Sequence, residues 1–126
     1  QIKKTMTQIG IDTTLVYDGK QALDQLQSWV NEGIDVNQHI ALIISDIEMP
    51  EMDGYSLTTE IRKDATLKDI PVLLHSSMSG DFNSSLVEKV GANKFIAKFD
   101  PDELATTVQS MIEPWRQQNP ATDSHN

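Results

Sequence analysis

The chain has 126 residues, with nineteen acidic against ten basic side chains, a formal net charge of −9 and no cysteine. That length fits one globular domain with a single core, and the acidity without a basic patch argues against direct nucleic-acid binding. The absence of thiols excludes disulfides and thiolate metal sites, no run approaches the roughly 18 apolar residues of a membrane span, and no signal peptide is visible.

Ile2, Met6 and Ile9 are spaced by four and three, a helical face that Gly10 is placed to stop. Ile11 to Tyr17 (IDTTLVY) is short and rich in β-branched residues, and reads as a strand ending at Asp18-Gly19. Lys20 to Glu32 follows as an amphipathic helix, with Ala22, Leu23, Leu26, Trp29 and Val30 on one face, Asp18 as N-cap and Gly33 as stop. Ile34 to His39 reads as a polar connection.

The stretch Ala41 to Gly54, ALIISDIEMPEMDG, dominates the middle of the chain. Its near-continuous apolar run predicts a strand buried on both faces, as parallel sheets require. Asp46 then falls at the strand's carboxyl end, where open α/β sheets keep their ligand sites. Pro50 stops the strand and Asp53-Gly54 marks the turn into a helix over Tyr55 to Lys63, with Leu57 and Ile61 inward. Asp64 to Asp69 reads as a surface loop. Pro71 opens the strand Val72 to His75, which ends in Ser76-Ser77. A short helix over Phe82 to Val90 is closed by Gly91, and Lys94 to Ala97 makes a last strand. Asp100-Pro101-Asp102-Glu103 is a strong helix start: an N-cap acid, proline in the first turn and an acid three residues on. Leu104, Val108, Met111, Ile112 and Trp115 carry that helix's apolar face. Residues 1–116 are thus one domain, and 117–126 a polar, disordered tail. The order α-β-α-β-α-β-α-β-α predicts helices on both faces of a parallel sheet.

Asp46, Ser76 and Lys98 each fall just after an apolar strand. Taken singly they are a loop acid, a turn hydroxyl and a solvated cation. In a parallel sheet the three strand ends share one edge, so the three groups converge. A carboxylate, a hydroxyl and a cation there suit attack on, hydrogen bonding to and neutralisation of a phosphoryl group. No Walker-type phosphate loop is present.

Asp46-Ile47-Glu48-Met49-Pro50-Glu51-Met52-Asp53-Gly54 resembles the phosphoacceptor loop of response-regulator receiver domains, and Ser76, Phe95 and Lys98 match that family's switch hydroxyl, rotating aromatic and lysine. The segments LHSSMSG (Leu74 to Gly80), VGANKFIAKF (Val90 to Phe99) and Asp100-Pro101-Asp102-Glu103-Leu104 are similar to the receivers of CheV-type chemotaxis coupling proteins. Where ordinary receivers carry Pro after the lysine, this chain has Phe99. The resemblance implies a flavodoxin-like, doubly wound parallel sheet. It also implies a bacterial, cytoplasmic signalling module rather than an enzyme, without nucleic-acid binding or membrane insertion. Asp46 would accept a phosphoryl group from a CheA-type histidine kinase and modulate a chemoreceptor-kinase array. Asp46 and the backbone carbonyl of Glu48 would hold Mg²⁺, Lys98 would pair with a phosphoryl oxygen, and Ser76 and Phe95 would form the switch.

The family's first strand, with the acids that complete its Mg²⁺ site, would lie before Gln1, so the resemblance implies an N-terminally truncated receiver. Such a central strand would contribute on the order of 5 to 10 kcal/mol, comparable to a domain's whole stability of about 5 to 15 kcal/mol. Omission from the sequence, self-association by strand swapping, or a rearranged fold would each account for the gap. Two other functions compete: a phosphohydrolase with Asp46 as nucleophile and Glu48 as general acid, and a receiver that docks without being phosphorylated.

Overall fold

The structure is a computed structural model that describes residues 2–10, 14, 18–47, 52–75, 84–96 and 100–118. The chain divides into two compact units, Val16–Phe99 and a second made of Gln1–Leu15 with Asp100–Asn126.

The first unit is built on three parallel strands, β1 (Ile43–Asp46), β2 (Val72–His75) and β3 (Lys94–Ile96), in the order β1-β2-β3. Parallel neighbours need crossovers, and the chain supplies them as α4 (Gly54–Lys63) between β1 and β2 and α5 (Ser84–Val90) between β2 and β3. Before the sheet come α2 (Gly19–Asn31) and a single turn, α3 (Val36–His39). Helix α4 packs between α2 and α5. A parallel sheet with helical crossovers is the arrangement the sequence predicts. The register aligns Ile43 with Val72 and Asp46 with His75. It also aligns Leu74 with Phe95 and His75 with Ile96, so the carboxyl ends of all three strands finish on one edge.

Every residue of β2 is buried, as a middle strand covered on both faces must be. The double-sided burial predicted for β1 is not found: Ser45 is buried, whereas Ile43, Ile44 and Asp46 are only half-buried. The reason is position, since β1 is the edge of the described sheet. Val72 and Leu74 of β2 meet Leu26 of α2, Val36 of α3, and Leu57 and Ile61 of α4 in one apolar cluster with Leu67 and Ile70.

Two connections carry more structure than their composition suggests. Residues 34–39 contain α3, started by Asp35, whose side chain accepts from the Asn37 amide at 3.1 Å, and anchored by the fully buried Val36. The predicted surface loop 64–69 winds as turns, with the Leu67 and Lys68 amides donating to the Asp64 carbonyl and the Ile70 amide to that of Leu67. Those turns bring Leu67, at 0% exposure, into the core.

In the second unit, α1 (Ile2–Gln8) packs against α6 (Pro101–Gln118). Met6, Leu104, Val108 and Ile112 are buried, the last three at one-turn intervals along α6. Asp100 caps α6 as predicted, its carboxylate accepting from the amides of Asp102 at 3.0 Å and Glu103 at 3.2 Å. The helix runs two residues past Arg116, through Pro114, to Gln118. Gly10, Gly33 and Gly91, each read as a helix stop, have φ of +79°, +85° and +88°. The predicted strand over Ile11–Tyr17 lies, except for Thr14, outside the described residues, as does the tail beyond Gln118.

Candidate functional site

The site is built from the carboxyl end of β1. Asp46 is its last residue, half-buried, and aligned across β2 with the buried His75. Three hydrogen bonds fix the chain there. The Ile47 amide donates to the His75 carbonyl at 2.9 Å, and the Gly54 amide to the Ile47 carbonyl at 3.0 Å. The buried Ser45 hydroxyl donates to the Asp46 carbonyl at 2.9 Å. That last bond satisfies a hydroxyl which an apolar strand would otherwise leave unpaired. Asp46 is therefore a half-buried acid on a backbone held on both sides.

The return of the chain at Asp53-Gly54 tightens the same point. Asp53 caps α4, its carboxylate accepting from the Ser56 amide at 2.7 Å, and the Thr58 hydroxyl donates to the Gly54 carbonyl at 2.8 Å. Gly54 is buried so closely that a Cβ on it would lie 2.6 Å from the Asp46 carbonyl oxygen and 3.0 Å from the Ile47 Cα. The Asp-Gly pair thus does more than turn the chain: only a residue without a side chain lets α4 begin against the phosphoacceptor candidate. At the start of α2, Gly19 makes a comparable approach to the backbone of Met52.

Phe95, the predicted switch aromatic, sits in the middle of β3 beside Leu74, half-buried and packed against the apolar cluster. Ser76 is one residue past the end of β2 and Lys98 two past the end of β3. Both, with Glu48, lie outside the described residues.

A polar centre that sequence reasoning missed is Arg62 on α4. Its Nε donates to the Gly91 carbonyl at 2.9 Å, and its terminal nitrogens donate to the carbonyls of Lys68 at 2.9 Å and Ile70 at 2.7 Å and to Asn93 Oδ1 at 2.8 Å. Asn93 Oδ1 also accepts from the Val72 amide, at 2.9 Å. Burial lowers the Arg62 pKa, against the opposing charge of Asp69. The network ties α4 to the amino ends of β2 and β3, the edge opposite Asp46, so its role is to hold the scaffold. A basic residue near a helix C-terminus was its only sequence signal.

Among the described residues no three His, Asp or Glu side chains gather into a metal cluster. Among the described residues Asp46 is the acid at the carboxyl end of β1, which fits Mg²⁺, an ion that keeps most of its waters and takes one or two protein carboxylates. It does not suit a dehydrated all-protein cage. No helix among them is long and apolar enough to cross a membrane.

The family model of the response regulator receiver domain matches residues 1–109. The chain belongs to that family. This receiver is 29% identical over 113 residues to the chemotaxis protein CheV3 of Helicobacter pylori, covering 89% of this chain and 36% of that protein. It is 32% identical over 116 residues to CheV1 of the same species, covering 89% and 35%. Against the H. pylori chemotaxis protein CheY1 it is 29% identical over 112 residues, covering 88% and 85%. The chain thus spans about a third of the length of the two CheV relatives. Among solved structures, the receiver is similar to the signal receiver domain of a histidine kinase from Syntrophus aciditrophicus. Its TM-score is 0.71 at 29% identity, with 90% of this chain and 80% of that one covered. It is also similar to the receiver domain of a Pseudomonas aeruginosa sensor histidine kinase that has magnesium coordinated in its active-site cleft. There the TM-score is 0.69 at 26% identity, with coverage of 88% and 84%. The predicted flavodoxin-like receiver fold and the likeness to CheV-type receivers are both borne out.

Proposed function

We propose that this receiver takes a phosphoryl group on Asp46 from a CheA-type histidine kinase and uses it to tune coupling between chemoreceptors and their kinase. The observation that carries the reading is Asp46 itself. It is a half-buried acid at the carboxyl end of a parallel strand, with its backbone held by Ser45, Gly54 and the His75 carbonyl of β2. In the transfer, an Asp46 oxygen attacks phosphorus and a new O–P bond forms as the donor's P–N bond breaks. The departing imidazole keeps the electron pair and takes up a proton. Later attack by water on phosphorus releases inorganic phosphate and restores the carboxylate, so the chemistry is one phosphorylation and a slow loss.

Ser76 and Lys98, one and two residues beyond strands that end on the same edge as Asp46, are assigned to bind the phosphoryl oxygens. Phe95 is the aromatic that follows the Ser76 switch. Asp46 and the Glu48 carbonyl would hold Mg²⁺, which neutralises charge on the phosphoryl oxygens when bound. Magnesium in the cleft of the similar P. aeruginosa receiver supports that assignment. The likeness to CheV3 and CheV1 supports a role in chemotaxis.

Intact mass before and after incubation with acetyl phosphate and Mg²⁺ tests the proposal. The expected result is a gain of one phosphoryl group that Asp46→Ala abolishes. Many turnovers on phosphate esters would instead identify a phosphohydrolase. Absence of any gain, with partner binding unchanged in Asp46→Ala, would identify a docking-only receiver.

A further inference from the structure

Met52, two residues before the start of α4, is held at a place away from the strand edge. Gly19, the first residue of α2, is buried, and a Cβ on it would stand 2.9 Å from the Met52 Cβ, 3.1 Å from the Met52 carbonyl carbon and closer still to its oxygen. Gly33, just beyond the other end of α2, makes the opposite use of glycine: its φ is +85° and open space surrounds it. Gly19 has no such left-handed backbone, so what its missing side chain provides is the contact.

The start of α2 is a firm surface for that contact, because the Asp18 carboxylate accepts from the Gln21 amide at 2.8 Å and locks the first turn. From Met52 the path to Asp46 is short and runs through backbone. Gly54 follows Met52 by two residues, bonds the Ile47 carbonyl through its amide at 3.0 Å and lies against the Asp46 carbonyl. Side chains can yield to a new methyl group by changing rotamer, whereas backbone neighbours must move as a whole.

We propose that Gly19 is a positioning residue for Asp46. By letting the start of α2 close onto Met52, it sets where Met52 and Gly54 lie against the Asp46 backbone, and hence how readily the carboxylate reacts. The functional half of this inference rests on the reading of Asp46 as phosphoacceptor. The structural half does not.

The test compares Gly19→Ala with Gly33→Ala in the intact protein, using two readouts. One is hydrogen exchange at the Gly54 amide; the other is the rate of phosphorylation by acetyl phosphate with Mg²⁺. Gly33→Ala strains the same helix at its far end and serves as the control for lost stability. Gly19→Ala is expected to speed Gly54 exchange and to slow phosphorylation by about tenfold, a modest share of what a misplacement of about 1 Å costs. Gly33→Ala is expected to lower the thermal midpoint without either effect. Unchanged Gly54 exchange in Gly19→Ala would overturn the proposal, as would equal effects of both variants at equal loss of thermal midpoint. Should Gly19→Ala not fold, Met52→Gly loosens the same contact from the other side. Faster Gly54 exchange in that variant supports the proposal, and wild-type exchange overturns it. If the wild-type protein takes no phosphoryl group, the reading of Asp46 fails, while the exchange comparison still decides whether Gly19 positions Met52 and Gly54.

Discussion

Gly54 lies against the backbone of Asp46, the place of its absent Cβ being 2.6 Å from the Asp46 carbonyl oxygen. In an ordinary helix, Gly→Ala gains about 1 kcal/mol from propensity. Here the new methyl group would meet that oxygen, the Ile47 Cα at 3.0 Å and Leu74 Cδ2 at 3.1 Å. Two of the three are backbone and cannot turn aside. Gly54→Ala is therefore expected to cost about 1 to 3 kcal/mol net, read as a lower urea midpoint, and, on the proposed reading of Asp46 as phosphoacceptor, to slow its phosphorylation. A stabilised variant would show that α4 can slide away from β1 freely.

Asp53 gives a gentler handle on the same junction. Its carboxylate accepts from the Ser56 amide at 2.7 Å, one of the amides a helix start leaves unpaired. Asp53→Ala is expected to destabilise the protein by about 1 kcal/mol, and Asp53→Ser to recover most of that. Chemical denaturation of the two variants side by side checks the order. Equal losses would mean that the carboxylate acts by something other than capping.

Such caps were mostly legible in the sequence because they are local. Asp18 and Asp100 announce α2 and α6 within three residues of the amides they bind, Asp53 was read only as part of a turn although it too caps a helix, and Gly10, Gly33 and Gly91 mark stops by a backbone conformation that favours glycine. Asp46 was legible too, since an apolar run broken by an acid, then Pro and Asp-Gly, fixes a strand end without knowledge of its neighbours. What depended on partners distant in sequence was not. Leu67 looked like a loop residue until the turns after Asp64 carried it into the core. The edge position of β1 in the described sheet could not be read from Ile43 and Ile44, whose type suits a central strand equally well. Gly19 offered only a turn signal, and its contact with Met52 exists only once α2 and the segment after Asp46 are brought together.

Pro114 sits exposed inside α6. It has no amide hydrogen, so the carbonyl of Ser110 receives no helical bond from that position. Replacing it by Ala restores the donor and removes the ring's pressure on the preceding turn. Pro114→Ala is expected to stabilise the protein by about 1 kcal/mol or more, with a rise in both thermal midpoint and helical circular dichroism. A fall in midpoint would mean that Pro114 is needed for α6 to pack on α1.

Arg62 is the position where a conservative exchange should fail. Its guanidinium reaches three carbonyls, those of Gly91, Lys68 and Ile70, and the side chain of Asn93, all within 2.9 Å. A lysine nitrogen donates from one point and cannot span four acceptors. Gly91 adds to the constraint, because a Cβ there would come within 3.2 Å of Arg62 Nε. Arg62→Ala is expected to cost about 2 kcal/mol or more, and Arg62→Lys to recover less than half, since bonds to charged groups contribute roughly 1.5 to 3 kcal/mol each but do not add when shared. The pH dependence has a definite sign. Burial lowers the folded-state pKa, with Asp69 opposing, so the unfolded chain holds this proton more tightly than the folded protein does. That penalty is in force at every pH below the folded value and is relieved only as pH rises through it, in alkali, because arginine is effectively always protonated near neutrality. The loss in Arg62→Ala should accordingly be constant across the neutral range. Urea midpoints of wild type and variant, taken at several pH values around neutrality, check this. A gap that widened or narrowed there would assign the titration to another group and remove Arg62 from the account.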